Sequence, residues 1–231
     1  MRRLFGSLGF VLVASALAAP ATAFAQQSLS LSVGRFSPRG IDARSDDDVL
    51  VNNLDFLRFE VADFKSTTFG AEWLIAMGNR MEVGLGAGFS SRTVPSVYAD
   101  FVNEDDSEIE QDIKLRMIPF TATVRFLPLG RESVVQPYIG GGVGVISWRY
   151  SETGEFIDFT DGSIFPESFV GSGANAGPVV LGGVRFGLGA ADVGFEGRYQ
   201  SAKGSLSTDE FFGSEIDLGG ITFLVNFNLR F

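Results

Sequence analysis

The sequence of 231 residues contains no cysteine and no histidine. Without thiols it has no disulfide framework, thiolate nucleophile or cysteine-based zinc site. Without imidazole it has no Ser-His-Asp or Cys-His arrangement, so catalysis would rest on carboxylates, Lys, Ser, Thr or Tyr. Clustered positive charge is missing as well: 18 Lys and Arg stand against 28 Asp and Glu, a formal net charge of -10. That balance speaks against nucleic acid, because phosphate counterions are displaced only by basic clusters. Tyr (4) and Trp (2) are scarce, whereas Phe (23) and Gly (29) are abundant.

Long apolar runs are confined to the N-terminus. Arg2 and Arg3 form a basic start, Leu4 to Ala19 is apolar, and Ala23-Phe24-Ala25 is a small-residue cleavage motif. Residues 1–25 are therefore predicted to be a cleaved secretory signal peptide, with residues 26–231 as one domain. An uncleaved anchor helix is the weaker alternative, since the apolar stretch falls short of the ~20 residues a span needs. Further on, the uncharged stretches Ser133 to Trp148 and Ser168 to Val184 are crowded with Gly, Ser and Pro and do not make a spanning helix.

A period of two takes the place of such runs. In the last segment Ile221, Phe223, Val225, Phe227, Leu229 and Phe231 alternate with mostly polar residues. The same alternation predicts eight strands: about 28–36, 67–77, 81–90, 113–126, 139–145 with extension toward Tyr150, 178–188, 193–200 and 221–231. In the fourth, Ile113, Leu115 and Met117 are read as outward and Lys114 and Arg116 as inward, with a bulge at Pro119 restoring Phe120, Ala122, Val124 and Phe126 to the outside. Short links at Gly78-Asn79, 127–134 and 189–192 alternate with long links near 37–66, 92–111, 151–176 and 202–217. The long links hold most of the acidic residues and are read as a solvated crown.

This pattern predicts an all-β chain, an eight-stranded antiparallel up-and-down transmembrane β-barrel. A soluble lipocalin-like barrel fits the strand count but needs a charged exterior, whereas the polar face here is Gly, Ser, Thr and Asn. An apolar face rich in Val, Leu, Ile and Phe must then meet lipid, where only a closed sheet satisfies every backbone group.

The terminal alternation ending at Phe231 resembles the assembly signal of Gram-negative outer-membrane proteins, carried here by Phe223, Val225, Phe227, Leu229 and Phe231. The segments Gln136-Pro137-Tyr138-Ile139-Gly140-Gly141-Gly142-Val143-Gly144 and Met117-Ile118-Pro119 resemble the small outer-membrane β-barrel domain family of OmpA-, OmpX- and OmpW-like barrels. The resemblance implies an outer-membrane location, outer-membrane lipid and lipopolysaccharide as surroundings, and the barrel assembly machinery as a partner in biogenesis. It implies no cofactor and is silent on a surface ligand. Enzymatic barrels of this kind resemble one another in using His, which this chain lacks.

Other motifs are weak. The glycine runs at Gly84 to Gly88 and Gly140 to Gly144 do not form a phosphate loop and read as small lumen-facing residues. Asp46-Asp47-Asp48 and Asn103 to Asp106 lack the spacing of a calcium loop and read as solvated charge. The candidate site is a lumen cluster: Glu72, Glu82, Arg125, Arg185, Glu196 and Arg230 all point inward near the short-turn rim. Six such charges are expected to pair and plug the barrel, with independent charges lining a narrow wet channel as the weaker alternative. The expected function is a non-enzymatic structural or surface-interaction role. An OmpW-like passage for small hydrophobic molecules and a soluble periplasmic lipid-binding barrel are the alternatives.

Overall fold

The computed structural model describes residues 27–231; the predicted signal peptide lies outside the described residues. Eight long strands form one closed ring. They are β1 (Gln27–Pro38), β2 (Ser66–Ala76), β3 (Met81–Val102), β4 (Glu108–Phe126), β5 (Val135–Ile157), β6 (Ile164–Gly187), β7 (Ala191–Gln200) and β8 (Gly220–Arg230). Each pairs antiparallel with its sequence neighbours, and β1 pairs with β8 to close the ring. Every strand thus has two partners, the arrangement that leaves no open edge in hydrocarbon. Gly78 (φ 74°) and Gly189 (φ 83°) sit in the left-handed region at two of the short turns, where a side chain would be strained.

Four strands are far longer than the alternation indicated. β3 to β6 run 22, 19, 23 and 24 residues, against 10 to 12 for β7, β8, β1 and β2. A tilted membrane strand needs only about 9 to 11 residues, so half of this tall wall projects past any bilayer. The links read near 92–111 and 151–176 are mostly strand, leaving turns of only 103–107 and 158–163. The other two long links carry a short helix, α1 (Val49–Asn53), and the two-residue strand Leu57–Arg58 beside β3, then a small hairpin of Lys203–Ser205 with Glu215–Asp217.

These links fold into the concave side of the tall wall and build a second core. Val49, Leu50 and Phe64 from the first link and Phe211, Ile216 and Leu218 from the last pack with Ile109, Ile113, Met117, Trp148 and Tyr150 of the wall. The projecting half therefore has the polarity of a soluble protein, apolar within and polar without.

That inversion corrects the reading of β4. Ile113, Leu115 and Met117 are buried, and Lys114 and Arg116 are exposed. No bulge lies at Pro119: pairing runs from Met81↔Phe126 to Ala87↔Phe120 and resumes at Ser90↔Met117 in one register. The same parity points inward throughout, and the environment of the lumen changes instead, from polar to apolar.

Below that level the outward face is apolar as read. Leu31, Leu85, Val124, Val143, Phe195 and Val225 are all exposed side chains in a continuous band. This band occupies about 135–145 of β5 and the corresponding lower stretches of its neighbours.

Candidate functional site

The lumen at the level of the band is filled by ionic side chains. Arg125 on β4 reaches across to Glu72 on β2 (2.5 Å) and Glu196 on β7 (3.0 Å). Arg198, two residues above Glu196, bridges the same two carboxylates at 3.1 and 2.7 Å. Hydroxyls complete the shell: Tyr138 donates to Glu196 (2.9 Å) and Thr123 to Glu72 (3.2 Å). Nearer the short-turn rim, Glu82 pairs with Arg185 (2.5 Å) and Arg131 (2.9 Å). The guanidinium groups of Arg125 and Arg185 lie 5.1 and 5.0 Å from the centre of the Tyr138 ring and so link the two levels.

Of the six charges named from the sequence, Glu72, Arg125 and Glu196 meet directly, and Glu82 and Arg185 form a second pair. Arg230 joins neither; it binds Asp192 at the rim with two hydrogen bonds of 2.8 and 2.5 Å. Glu82 and Arg125 are cross-strand neighbours in the ladder, yet each pairs elsewhere, because an eight-stranded lumen is narrow enough for charges to meet across it. Arg198, Asp192 and Arg131 were not in the predicted cluster. The first two share the inward parity of Glu196 and were legible on that ground. Arg131 lies in a turn, where no periodicity marks direction.

Small side chains make this packing possible. A Cβ on Gly84 would strike the Glu72 carboxylate, so the glycine row on β3 gives the glutamate its room. Above the ions only a small polar space of about 60 Å³ remains, among Ser30, Thr68, Thr121 and Asn226. Higher still the apolar core begins.

A second group of charges lies above the band, inside the link core. Asp48 caps α1 by accepting from the Leu50 amide (2.9 Å), accepts from the Asp217 amide (2.6 Å), and holds Arg44 through both oxygens at 2.9 and 2.8 Å. It is fully buried, not part of a solvated run as the triple aspartate suggested. Burial pushes its carboxyl above the ordinary range although Arg44 pulls the other way. Asp217 also holds Arg39 (3.0 Å), which ties the first link to the last. Glu152, on β5 beyond the band, has no cationic partner among the described residues. It accepts from Asn53 Nδ2 and the Tyr150 hydroxyl, each at 2.6 Å, and burial pushes its carboxyl up as well.

The terminal residues named as an assembly signal lie on the outward face of β8, with Phe223 and Phe231 among the most exposed side chains. Phe231 exchanges backbone hydrogen bonds with Gln27 at 2.9 and 3.1 Å and completes the last rung of the ring.

No family model matches the sequence, and no curated protein matches it. Among solved structures the chain is similar to Ail, the attachment invasion locus protein of Yersinia pestis, in complex with the heparin analogue sucrose octasulfate: 14% identity over 90% of this chain and 100% of that one, TM-score 0.42. It is also similar to the N-terminal β-barrel domain of Pseudomonas aeruginosa OprF, at 9% identity over 89% and 97% of the two chains with a TM-score of 0.45. Neisserial surface protein A gives 14% identity over 89% and 97%, with a TM-score of 0.47. The architecture rests on the closed strand ring rather than on these likenesses. The chain is an eight-stranded antiparallel β-barrel, and the solved structures it is similar to are small outer-membrane barrels.

Proposed function

We propose that this chain is a non-enzymatic barrel of the outer membrane, reached through a cleaved signal peptide. Its lumen is closed by paired ions, and its role is to present a folded, acidic body at the cell surface. Outer-membrane lipid and lipopolysaccharide surround the apolar band, and the barrel assembly machinery reads the β8 terminus during insertion. The observation that carries this reading is the pairing of Glu72, Glu82 and Glu196 with four arginines across the lumen, beneath an interior packed with apolar side chains. Isolated ions in such a space are costly, so mutual pairing favours a plug over a wet channel. The continuous apolar band argues against a soluble periplasmic barrel, and the closed ladder argues against a hydrophobic passage through the wall.

Planar-bilayer recording tests the proposal. Purified wild-type protein is expected to give no steady open-pore conductance, and the double variant Arg125→Ala, Arg198→Ala is expected to unfold at lower urea concentration, because Glu72 and Glu196 are left uncompensated. Steady wild-type conductance would refute closure by these ions.

A further inference from the structure

A cavity of about 260 Å³ lies above the apolar core, where the inner face of β3 to β6 meets the last link. At liquid density it would hold roughly nine waters, the size of a small organic molecule. Its walls include six phenylalanines, Phe56, Phe156, Phe165, Phe169, Phe211 and Phe212, together with Tyr98, Ile157 and Thr208. The rings brace one another edge to face, Phe56 with Phe212 and Phe156 with Phe169, each pair 4.9 Å between centroids. The walls are thus pre-formed from aromatic rings, whose faces are negative and whose edges are positive. Phe212 is half exposed, and the exposed Asp209 and Glu210 stand at the mouth.

Two acceptor atoms in its walls lack a donor among the described residues. Glu152 is 4% exposed; its Oε1 is engaged by Asn53 and Tyr150, and its Oε2 has no hydrogen-bond partner among the described residues. Gln111 is 3% exposed, and its Oε1 is buried and partnerless. Its amide orientation is fixed, because Nε2 donates to the Glu155 carbonyl (2.9 Å), which can only accept, and to the Tyr98 hydroxyl (3.1 Å). Among the described residues no lysine or arginine lines the cavity. A buried carboxylate without a counter-charge and a buried carbonyl without a donor are costly to keep, and a ligand bringing N–H groups and positive charge would satisfy both.

We infer that this cavity binds a small organic ammonium ion with an aromatic-sized apolar body. Its N–H groups meet Glu152 Oε2 and Gln111 Oε1, and its apolar body lies against the phenylalanine walls. The ring faces add cation–π attraction to the same charge. An anion would face Glu152, Asp209 and Glu210 with nothing to balance it. A neutral apolar molecule would leave the Gln111 carbonyl unpaired, and a calcium ion needs six to eight oxygens where the walls supply rings. The carboxyl of Glu152, pushed up by burial, gains in the ligand the counter-charge that its surroundings do not supply. The site does not depend on whether the lumen below is closed, so bilayer recording and ligand binding fail independently.

Isothermal titration of the full chain in lipid nanodiscs, with empty nanodiscs as the blank, tests this with three probes of one shape. They are 2-phenylethylammonium, the neutral 2-phenylethanol and the anionic 3-phenylpropanoate. The ammonium ion is expected to bind at least about tenfold more tightly than the alcohol, as one charge-assisted hydrogen bond allows, with no binding of the anion. Glu152→Gln is expected to remove that preference, and Gln111→Leu to weaken the ammonium ion. Equal affinity for all three probes, or no binding of the ammonium ion at millimolar concentration, would overturn the inference. The probe series uses wild-type protein, so it decides the matter even if a variant fails to fold.

Discussion

Glu196 receives hydrogen bonds from Arg125, Arg198 and Tyr138 while fully screened from solvent, whereas Lys203 meets Glu215 on the exposed hairpin of the last link. Removing one partner of a buried pair leaves the other charge uncompensated and costs about 3 to 5 kcal/mol, against about 1 kcal/mol or less for a partly exposed pair. Glu196→Ala should therefore lower stability in lipid vesicles far more than Lys203→Ala, read from urea unfolding midpoints. Glu152 sets a pH dependence of definite sign. Its folded carboxyl lies above the ordinary 4.5, so the stability it contributes is full below that value and is lost as pH rises through the raised one. Asp48 acts in the same direction, and Glu215, held down by Lys203 and Ser45, acts in the opposite one. Hydrogen exchange in the upper part of β5 should accelerate beyond its intrinsic pH dependence as pH rises through that raised value, and Glu152→Gln should flatten that excess. Side-chain direction was legible at this scale wherever a strand carried it. Which arginine meets which carboxylate was not, because the partners are 53 and 71 residues apart and meet only across a formed lumen.

A single strand here crosses two solvents. On β5, Val143 and Arg149 share the outward face six residues apart, the first in the apolar band and the second above it. An arginine at position 149 is native, yet Val143→Arg should cost about 2 to 4 kcal/mol of stability in bilayers. Equal unfolding midpoints for Val143→Arg and wild type would move the band elsewhere. The same change of surroundings explains the misreading of β4. The rule that apolar side chains face outward holds for Phe120, Ala122, Val124 and Phe126, and reverses for Ile113, Leu115 and Met117 once lipid gives way to water. A period of two records sidedness but not which side is wet, so an apparent parity change at Pro119 was the trace of a membrane boundary. Strand length was hidden for a related reason. The upper parts of β3 and β6 carry charges, serines and glycines of the kind loops use, and only their pairing with β4 and β5 makes them strand.

Closure of the whole ring depends on its two ends. β1 pairs with β8 over residues separated by nearly the full described length, finishing at Gln27 and Phe231. Deleting Phe231 removes that rung and an outward aromatic together. It should reduce the amount of heat-modifiable, protease-protected barrel recovered from membranes, and wild-type recovery would refute its role in assembly. What the sequence determined by itself was local and periodic. It specified eight alternating segments, the glycine turns at Gly78 and Gly189, an apolar outer face and a polar inner one, and hence a closed barrel in lipid. Tertiary structure decided how far the tall wall rises, which residues of the 39–65 and 201–219 links fill its concave side, the ion-pair partners, and the aromatic cavity with its unpartnered acceptors. Alternation along a strand is set by the strand's own geometry, whereas contacts across a lumen or beneath a folded link depend on registers fixed only when distant segments come together.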